Sequence, residues 1–179
     1  MGGDAVDLII EQWALVRPDL DVAPMEVLGR LSRASRLVEV QQDRVYAEYG
    51  LNRGEFDILA TLRRAAGSTG MTAGDLARSS MVTSGAITNR IDRLIAKHHV
   101  TRDVDLANRR AVLIALTPAG RSLIDQVVTA HVENEQHLIA ALTHHQQNDL
   151  ADLLRQLLID LGDTHHDETP DPPKREINH

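Results

Sequence analysis

Between Thr72 and Leu116 the sequence changes its pattern every few residues, and few folds accommodate the order in which it does so. Thr72–Ser79 predicts a short helix, opened by the capping-box-like spacing of Thr72 and Asp75, and Ser80-Met81-Val82 predicts a three-residue turn. Thr83–His98 predicts a second helix, because Ile87, Ile91, Leu94 and Ile95 share one face of a 3.6-residue period. Val100–Val104 and Ala111–Leu116 then flank a charged hairpin tip, Asp105-Leu106-Ala107-Asn108-Arg109-Arg110. A compact helix pair followed by a basic hairpin is the layout of a winged helix-turn-helix, which places a helix in the DNA major groove.

The flanking sequence predicts more helix. Asp4 to Arg17 forms a first helix, with Leu8, Ile9, Trp13 and Val16 near one face and Pro18 just after it. Pro24 opens a long helix to about Tyr49, and Gly50 fits its C-terminal cap. Asn52-x-x-Glu55 starts the next helix, Arg53 to Ala66, which ends before the loop Gly67-Ser68-Thr69-Gly70. After the hairpin, Thr117 supplies an N-cap and Pro118 the first helical position of a helix running toward Leu142. Thr143-x-x-Gln146 starts a last helix whose Leu150, Leu153, Leu154, Leu157, Leu158 and Leu161 form an apolar stripe. That stripe needs a partner to leave water, so the outer helices are expected to self-associate. The expected organisation is therefore N-terminal helices over 1–50, contributing to dimerisation and a ligand site, and a winged helix-turn-helix domain over 51–118. C-terminal dimerisation helices follow over 119–161, then a disordered acidic tail over 162–179. The fold class is mainly α with a small β-hairpin wing.

A net charge of −7 is unusual for a DNA binder, and its distribution resolves the conflict. Residues 1–28 carry six acids against Arg17, and residues 125–179 carry eleven against Arg155, Lys174 and Arg175. Between Thr83 and Arg110 the balance reverses, with Arg90, Arg93, Lys97, Arg102, Arg109 and Arg110 against Asp92, Asp103 and Asp105. The absence of cysteine excludes disulfides and zinc–thiolate sites. With no run of about 18 apolar residues and no basic-then-apolar leader, a soluble cytoplasmic protein is expected.

The second helix turns Gly85, Ala86, Asn89 and Arg93 away from its apolar face, combining small residues with side chains that read adenine and guanine edges. Thr83 and Ser84 at its start suit phosphate contacts, Thr88 and Arg90 join the same DNA-facing set, and Arg109 and Arg110 suit the minor groove or backbone. Three segments together resemble the MarR family of bacterial regulators: Leu59-Ala60-Thr61-Leu62-Arg63-Arg64, Val82 through Leu94, and Asn108-Arg109-Arg110 through Leu116-Thr117-Pro118-Ala119-Gly120-Arg121. The similarity spans roughly residues 24–160. It implies a two-fold dimer on a near-palindromic operator, acting as a repressor. Asn108 departs from the family's usual Asp in the wing, where an acid would brace the tip.

The extra N-terminal helix with Trp13 resembles the urate-responsive, HucR/PecS-like subgroup of that family. Its ligand quartet is Trp, Asp, Arg and Arg, and Trp13, Asp57, Arg90 and Arg102 match it residue by residue. The resemblance implies release from DNA by a small anion such as urate. Citrate- or aconitate-type anions and phenolic ligands remain alternatives, as does a winged-helix interaction module that does not bind DNA. Asp57 and Arg102 are expected to pair in the empty site, and an arriving anion to disturb that pair. Alternatively Trp13 plugs a dimer core, Asp57 is a structural partner, and Arg90 touches phosphate alone.

Nine histidines invite a metal reading. His98-His99, His144-His145 and His165-His166 are adjacent pairs that diverge on a helix, and no acid is expected at i+4 from a histidine in a strong element. A pH effect through interface histidines stays open. No nucleophile motif, phosphate loop or H-E-x-x-H run occurs, so no enzyme, metal or cofactor is expected.

Overall fold

The computed structural model describes residues 2–65, 70–79, 87–105, 108 and 111–164. It contains helices α1 (Ala5–Val16), α2 (Ala23–Glu48), α3 (Arg53–Ala65), α4 (Ala73–Ser79), α5 (Ile87–Ala96), α6 (Pro118–Leu138) and α7 (His144–Asp160). The strands are β1 (Met71–Thr72), β2 (Val100–Val104) and β3 (Val112–Leu116). All pair antiparallel in the order β1-β3-β2, with Val100 opposite Leu116 and Val104 opposite Val112. The mainly helical winged fold is as the sequence implies. The predicted turn over Ser80–Val82, the loop over 67–69, part of the hairpin tip and the tail from 165 lie outside the described residues.

Several helix starts are legible because they have a side-chain cap, whereas α2 starts without one, with Pro24 in its first turn. Asp4 accepts from the N–H groups of Val6 and Asp7 while the Asp7 carboxylate accepts from the Asp4 N–H. Asn52 and Glu55 exchange the same pair of bonds at α3, at 3.0 and 3.1 Å, and Thr143 with Gln146 opens α7. Gly50, at φ +68°, takes the left-handed conformation that closes α2. Two residues depart from expectation. Met71 and Thr72 are extended and pair with Ile114 and Leu113, while Thr72 still caps α4 by accepting from the Asp75 N–H. A two-residue strand has no periodicity of its own; only β3 beside it makes it one.

Two compact units divide the chain at Leu138. In the first, α3 supplies Ile58, Leu59 and Leu62, which pack with Leu76 of α4, Ile91 and Leu94 of α5, Ile114 of β3, and Ile124 and Val127 of α6. Each such side chain contributes about 1.5–3 kcal/mol by leaving water. Helix α1 lies antiparallel along the first part of α2. Val6 is buried against Gly29, and Arg30 reaches both Asp4 (2.8 Å) and Asp7 (2.5 Å). In the second unit α7 buries none of its residues fully: Leu154 and Leu157 of the predicted stripe are half-buried, and Leu150, Leu153, Leu158 and Leu161 are exposed in the single chain.

The wing is anchored to α6 at one corner. His98 ends the α5 turn at φ +59°, and Thr117 Oγ1 donates to its carbonyl (2.8 Å) while accepting from the Gly120 N–H (2.9 Å). The Thr117 N–H donates to the His99 carbonyl at 3.0 Å. A Cβ on Gly120 would lie 1.9 Å from that carbonyl oxygen, so only glycine lets α6 start there. Gly120→Ala should therefore cost about 1–3 kcal/mol in urea denaturation. Gly74→Ala, in α4 with no neighbour closer than 3.7 Å to the added carbon, should be neutral or stabilise by up to about 1 kcal/mol.

Candidate nucleic-acid interface

Helix α5 is held by Ile87, Ile91 and Leu94, all buried, which turns Thr88 and Asn89 to solvent. Its basic side chains are less free than a helical wheel suggests. Arg90, Arg93 and Lys97 share the face that meets the start of α3. Lys97 Nζ donates to Glu55 Oε2 (2.9 Å) and to the Gly50 carbonyl (2.8 Å). Arg93 Nε lies 3.4 Å from Glu55 Oε1, so the residue predicted to face DNA is ion-paired to α3 on one edge while half its side chain remains exposed. Thr83, Ser84, Gly85, Arg109 and Arg110 lie outside the described residues.

Glu55 is 1% exposed, and it went unnoticed in the sequence except as a helix cap. Burial raises its pKa, but the Lys97 hydrogen bond, the Asn52 N–H and the charges of Lys97 and Arg93 outweigh that and hold it below the ordinary value of 4.5. Nearby His99 is pushed below 6.5 by burial and by the Lys97 charge, with Glu55 opposing.

Arg90 lies across α3 at Gly54. A Cβ there would come within 2.4 Å of Arg90 Nε, so glycine makes the seat for the guanidinium. Arg90 Nη1 is buried with no hydrogen-bond partner among the described residues, and so is Asp57 Oδ2. On α3, Asp57 falls between Gly54, under Arg90, and Phe56, which stacks on Tyr46 of α2 at 4.2 Å. The two orphaned groups belong to adjoining helices, Arg90 on α5 over Gly54 and Asp57 one turn further along α3. On neighbouring α2, Tyr46 keeps a neutral hydroxyl, pushed up to about 12 by burial and by Glu135, Asp43 and Asp57 against Arg53.

The other two members of the predicted quartet lie elsewhere. Arg102 does not pair with Asp57. It lies exposed on β2 and pairs with Asp92 of α5 at 2.9 Å, because the antiparallel hairpin folds back beside α5. Trp13 sits in the last turn of α1, half-exposed, beside the start of α2. Tyr46 marks the far end of α2, some 21 residues beyond Met25, which at 1.5 Å per residue is about 30 Å away. Trp13 and Asp57 of one chain therefore cannot enclose the same small molecule.

The expectation about histidine spacing also needs correction. His131 and Glu135 are an i,i+4 pair at 3.1 Å, and His145 and Asp149 another at 3.6 Å. No group of three metal-ligating side chains assembles among the described residues. His131 instead bonds the Tyr46 hydroxyl through Nδ1 at 3.2 Å.

The lowered Glu55 pKa has a definite sign in stability. Its contribution is complete above the unfolded value of 4.5 and is lost as pH falls through the lower folded value. The difference in Tm between wild type and Glu55→Gln should be constant above pH about 5 and shrink as the pH is lowered further, measured by circular dichroism.

Residues 49–111 match the MarR family model. The chain is 40% identical over 146 residues to the HTH-type transcriptional regulator PecS of Dickeya dadantii, covering 82% of this chain and 88% of PecS. Among solved structures, a mutant of MarR from E. coli complexed with operator DNA is 25% identical, with a TM-score of 0.66, covering 76% and 95% of the two chains. AbsC, a MarR family transcriptional regulator from Streptomyces coelicolor, shares the fold at 22% identity, with a TM-score of 0.69 over 81% of this chain and 98% of AbsC. With the winged helical fold in place and PecS matched along most of its length, this chain belongs to the MarR family of transcriptional regulators.

Proposed function

We propose that the chain is a ligand-responsive repressor that binds a near-palindromic operator as a homodimer and is released by a small, planar, urate-like anion. One observation carries the ligand reading. Arg90, on the helix that enters DNA, keeps a buried Nη1 without a partner, and Asp57 of α3, the helix Arg90 crosses at Gly54, keeps a buried Oδ2 without one; the two are read as walls of one ligand crevice. Each orphaned group costs about 1–3 kcal/mol, which a bound molecule recovers by accepting from Arg90 and donating to Asp57. Urate presents both edges, and a phenolic acid does so too. Aconitate presents acceptors alone and citrate a single hydroxyl donor among three carboxylates, so both would meet the Asp57 carboxylate chiefly with like charge. A ligand held by Arg90 and Asp57 binds α5 and α3 together, so it favours one placement of the reading helix and shifts DNA affinity by that difference.

In this reading Asn89, Thr88 and Arg93 face the groove, with Thr83, Ser84 and Gly85 at the helix start and Arg109 and Arg110 on the wing. Residues 51–118 read DNA, while 1–50 and 119–161 make the dimer. Support for the dimer comes from apolar side chains left in water: Leu28, Leu31, Leu37 and Val40 on α2, Leu150, Leu153 and Leu158 on α7, and Leu161 at its C-cap. If two copies of α2 pair antiparallel, the start of one lies beside the end of the other. Trp13 then reaches the crevice only from the second copy, and Arg102 takes part through its Asp92 pairing with α5 rather than through Asp57. The protein works where its operator is, in the cytoplasm.

The tests separate the parts. Log affinity for a palindromic duplex should fall linearly with log salt, by about 0.9 per phosphate contacted, and Arg109→Ala should weaken binding to all duplexes. Absence of salt-dependent binding removes the operator reading. Urate should quench or shift the emission of Trp13, the single tryptophan, and release the duplex, with salicylate weaker and citrate without effect. Gly54→Ala should retain DNA binding and lose the urate response, because the added carbon displaces the Arg90 guanidinium. An unchanged response in that variant rules out the crevice as the ligand site.

A further inference from the structure

Glu55 is the most buried charged residue among those described, and the proposed ligand crevice does not use it. Its carboxylate has three neighbours, Asn52 just before α3, Arg93 on α5 and Lys97 just after it. Oε2 accepts from the Asn52 N–H at 3.1 Å and from Lys97 Nζ at 2.9 Å, and Oε1 faces Arg93 Nε at 3.4 Å without forming a hydrogen bond. A helix cap alone needs only the first of these. Lys97 has a second bond, to the Gly50 carbonyl, whereas Arg93 has no other hydrogen bond or ion pair with the described residues. The nitrogen of Arg93 nearest Glu55 is Nε, and half of the Arg93 side chain is exposed.

A guanidinium discriminates guanine only when both of its donors meet O6 and N7 in one plane. A flexible arginine on an exposed helix loses several torsions to reach that pose, whereas one whose Nε edge is already drawn to a fixed carboxylate is partly pre-organised. The fixed carboxylate is available because the capping box and Lys97 immobilise it, and because burial makes any excursion of the charge costly.

We infer that Glu55 is a positioning residue for sequence reading: it orients Arg93 from behind, through the Nε edge, so that the Nη pair is presented to a base. The inference rests on the reading of α5 as the DNA-entering helix. Glu55 touches no DNA itself. Its loss changes discrimination between sequences rather than attraction to DNA in general, because removing one negative charge beside two cations leaves phosphate binding equal or stronger.

The experiment uses the full chain. Wild-type protein selects a duplex from a random pool, and fluorescence anisotropy then gives its affinity for that duplex and for a scrambled duplex of the same composition at one salt concentration. In Glu55→Gln, where the amide oxygen preserves the helix cap, the ratio of the two affinities should fall by about tenfold while scrambled-duplex affinity holds or rises. In an Arg93→Ala background the same substitution should leave the ratio unchanged. Lys97→Met, which removes one of the groups that fix the Glu55 carboxylate and keeps the carboxylate charge beside Arg93, should lower Tm and reduce the ratio by less than Glu55→Gln. If Glu55→Gln does not fold, Glu55→Asp carries the same prediction, since it keeps the charge and withdraws it by one methylene. An unchanged ratio, a parallel loss of both affinities, or an equal effect with Arg93 already removed would overturn the proposal. Failure of the wild type to select any duplex overturns the DNA reading itself, and that result is distinguishable from the others.

Discussion

The rest of the first unit depends on the enclosure of α3. With one tryptophan, one phenylalanine and two tyrosines in the chain, the core is built from small aliphatic side chains, and it closes only if one helix is surrounded. Ile58, Leu59 and Leu62 meet α4, α5, α6 and the sheet at once, so each of those elements is positioned against the same surface. The short β1, the wing root at Thr117 and the start of α6 at Gly120 follow from this closure. An element packed on one helix from several sides cannot shift alone, because a close-packed interior passes displacement to its neighbours.

Enclosing α3 brings its polar residues inside as well. Glu55 finds the cations Arg93 and Lys97, which makes it a brace between the first turn of α3 and α5. Asp57 Oδ2 and the Nη1 of Arg90 find no partner among the described residues. Glu55 and Asp57 lie within one turn of each other on α3, and Arg90 crosses that turn from α5. The ion-paired site stiffens the contact with α5, and the unsatisfied site is where an added molecule gains most. In the proposed function, α5 meets DNA on one side and is biased from the other.

Much of this was legible in the residues. The caps at Asp4, Asn52, Thr117 and Thr143 act through hydrogen bonds three residues apart, and the core face of α5 follows from a period of 3.6, so both are local facts. Arg102 illustrates the limit. Its match to a family ligand position rests on sequence order, but its partner is Asp92, since hairpin pairing decides which way the strand returns. Trp13 illustrates another: position in a motif carries no distance, and α2 separates it from Asp57 by its own length. The i,i+4 pairs of His131 and His145 were local and could have been found by counting.

The sequence by itself determined the order of helices and strands, their caps, the basic excess around α5 and the wing, and the family likeness carried by residues 49–111. Those depend on neighbours within one or two turns. Only the tertiary structure decided that Arg93 leans on Glu55, that Arg90 rests on Gly54, and that Arg102 leaves Asp57 for Asp92. Each of these joins residues ten or more positions apart, and charged side chains choose partners by the distance and burial that packing creates, which residue spacing along the chain does not encode.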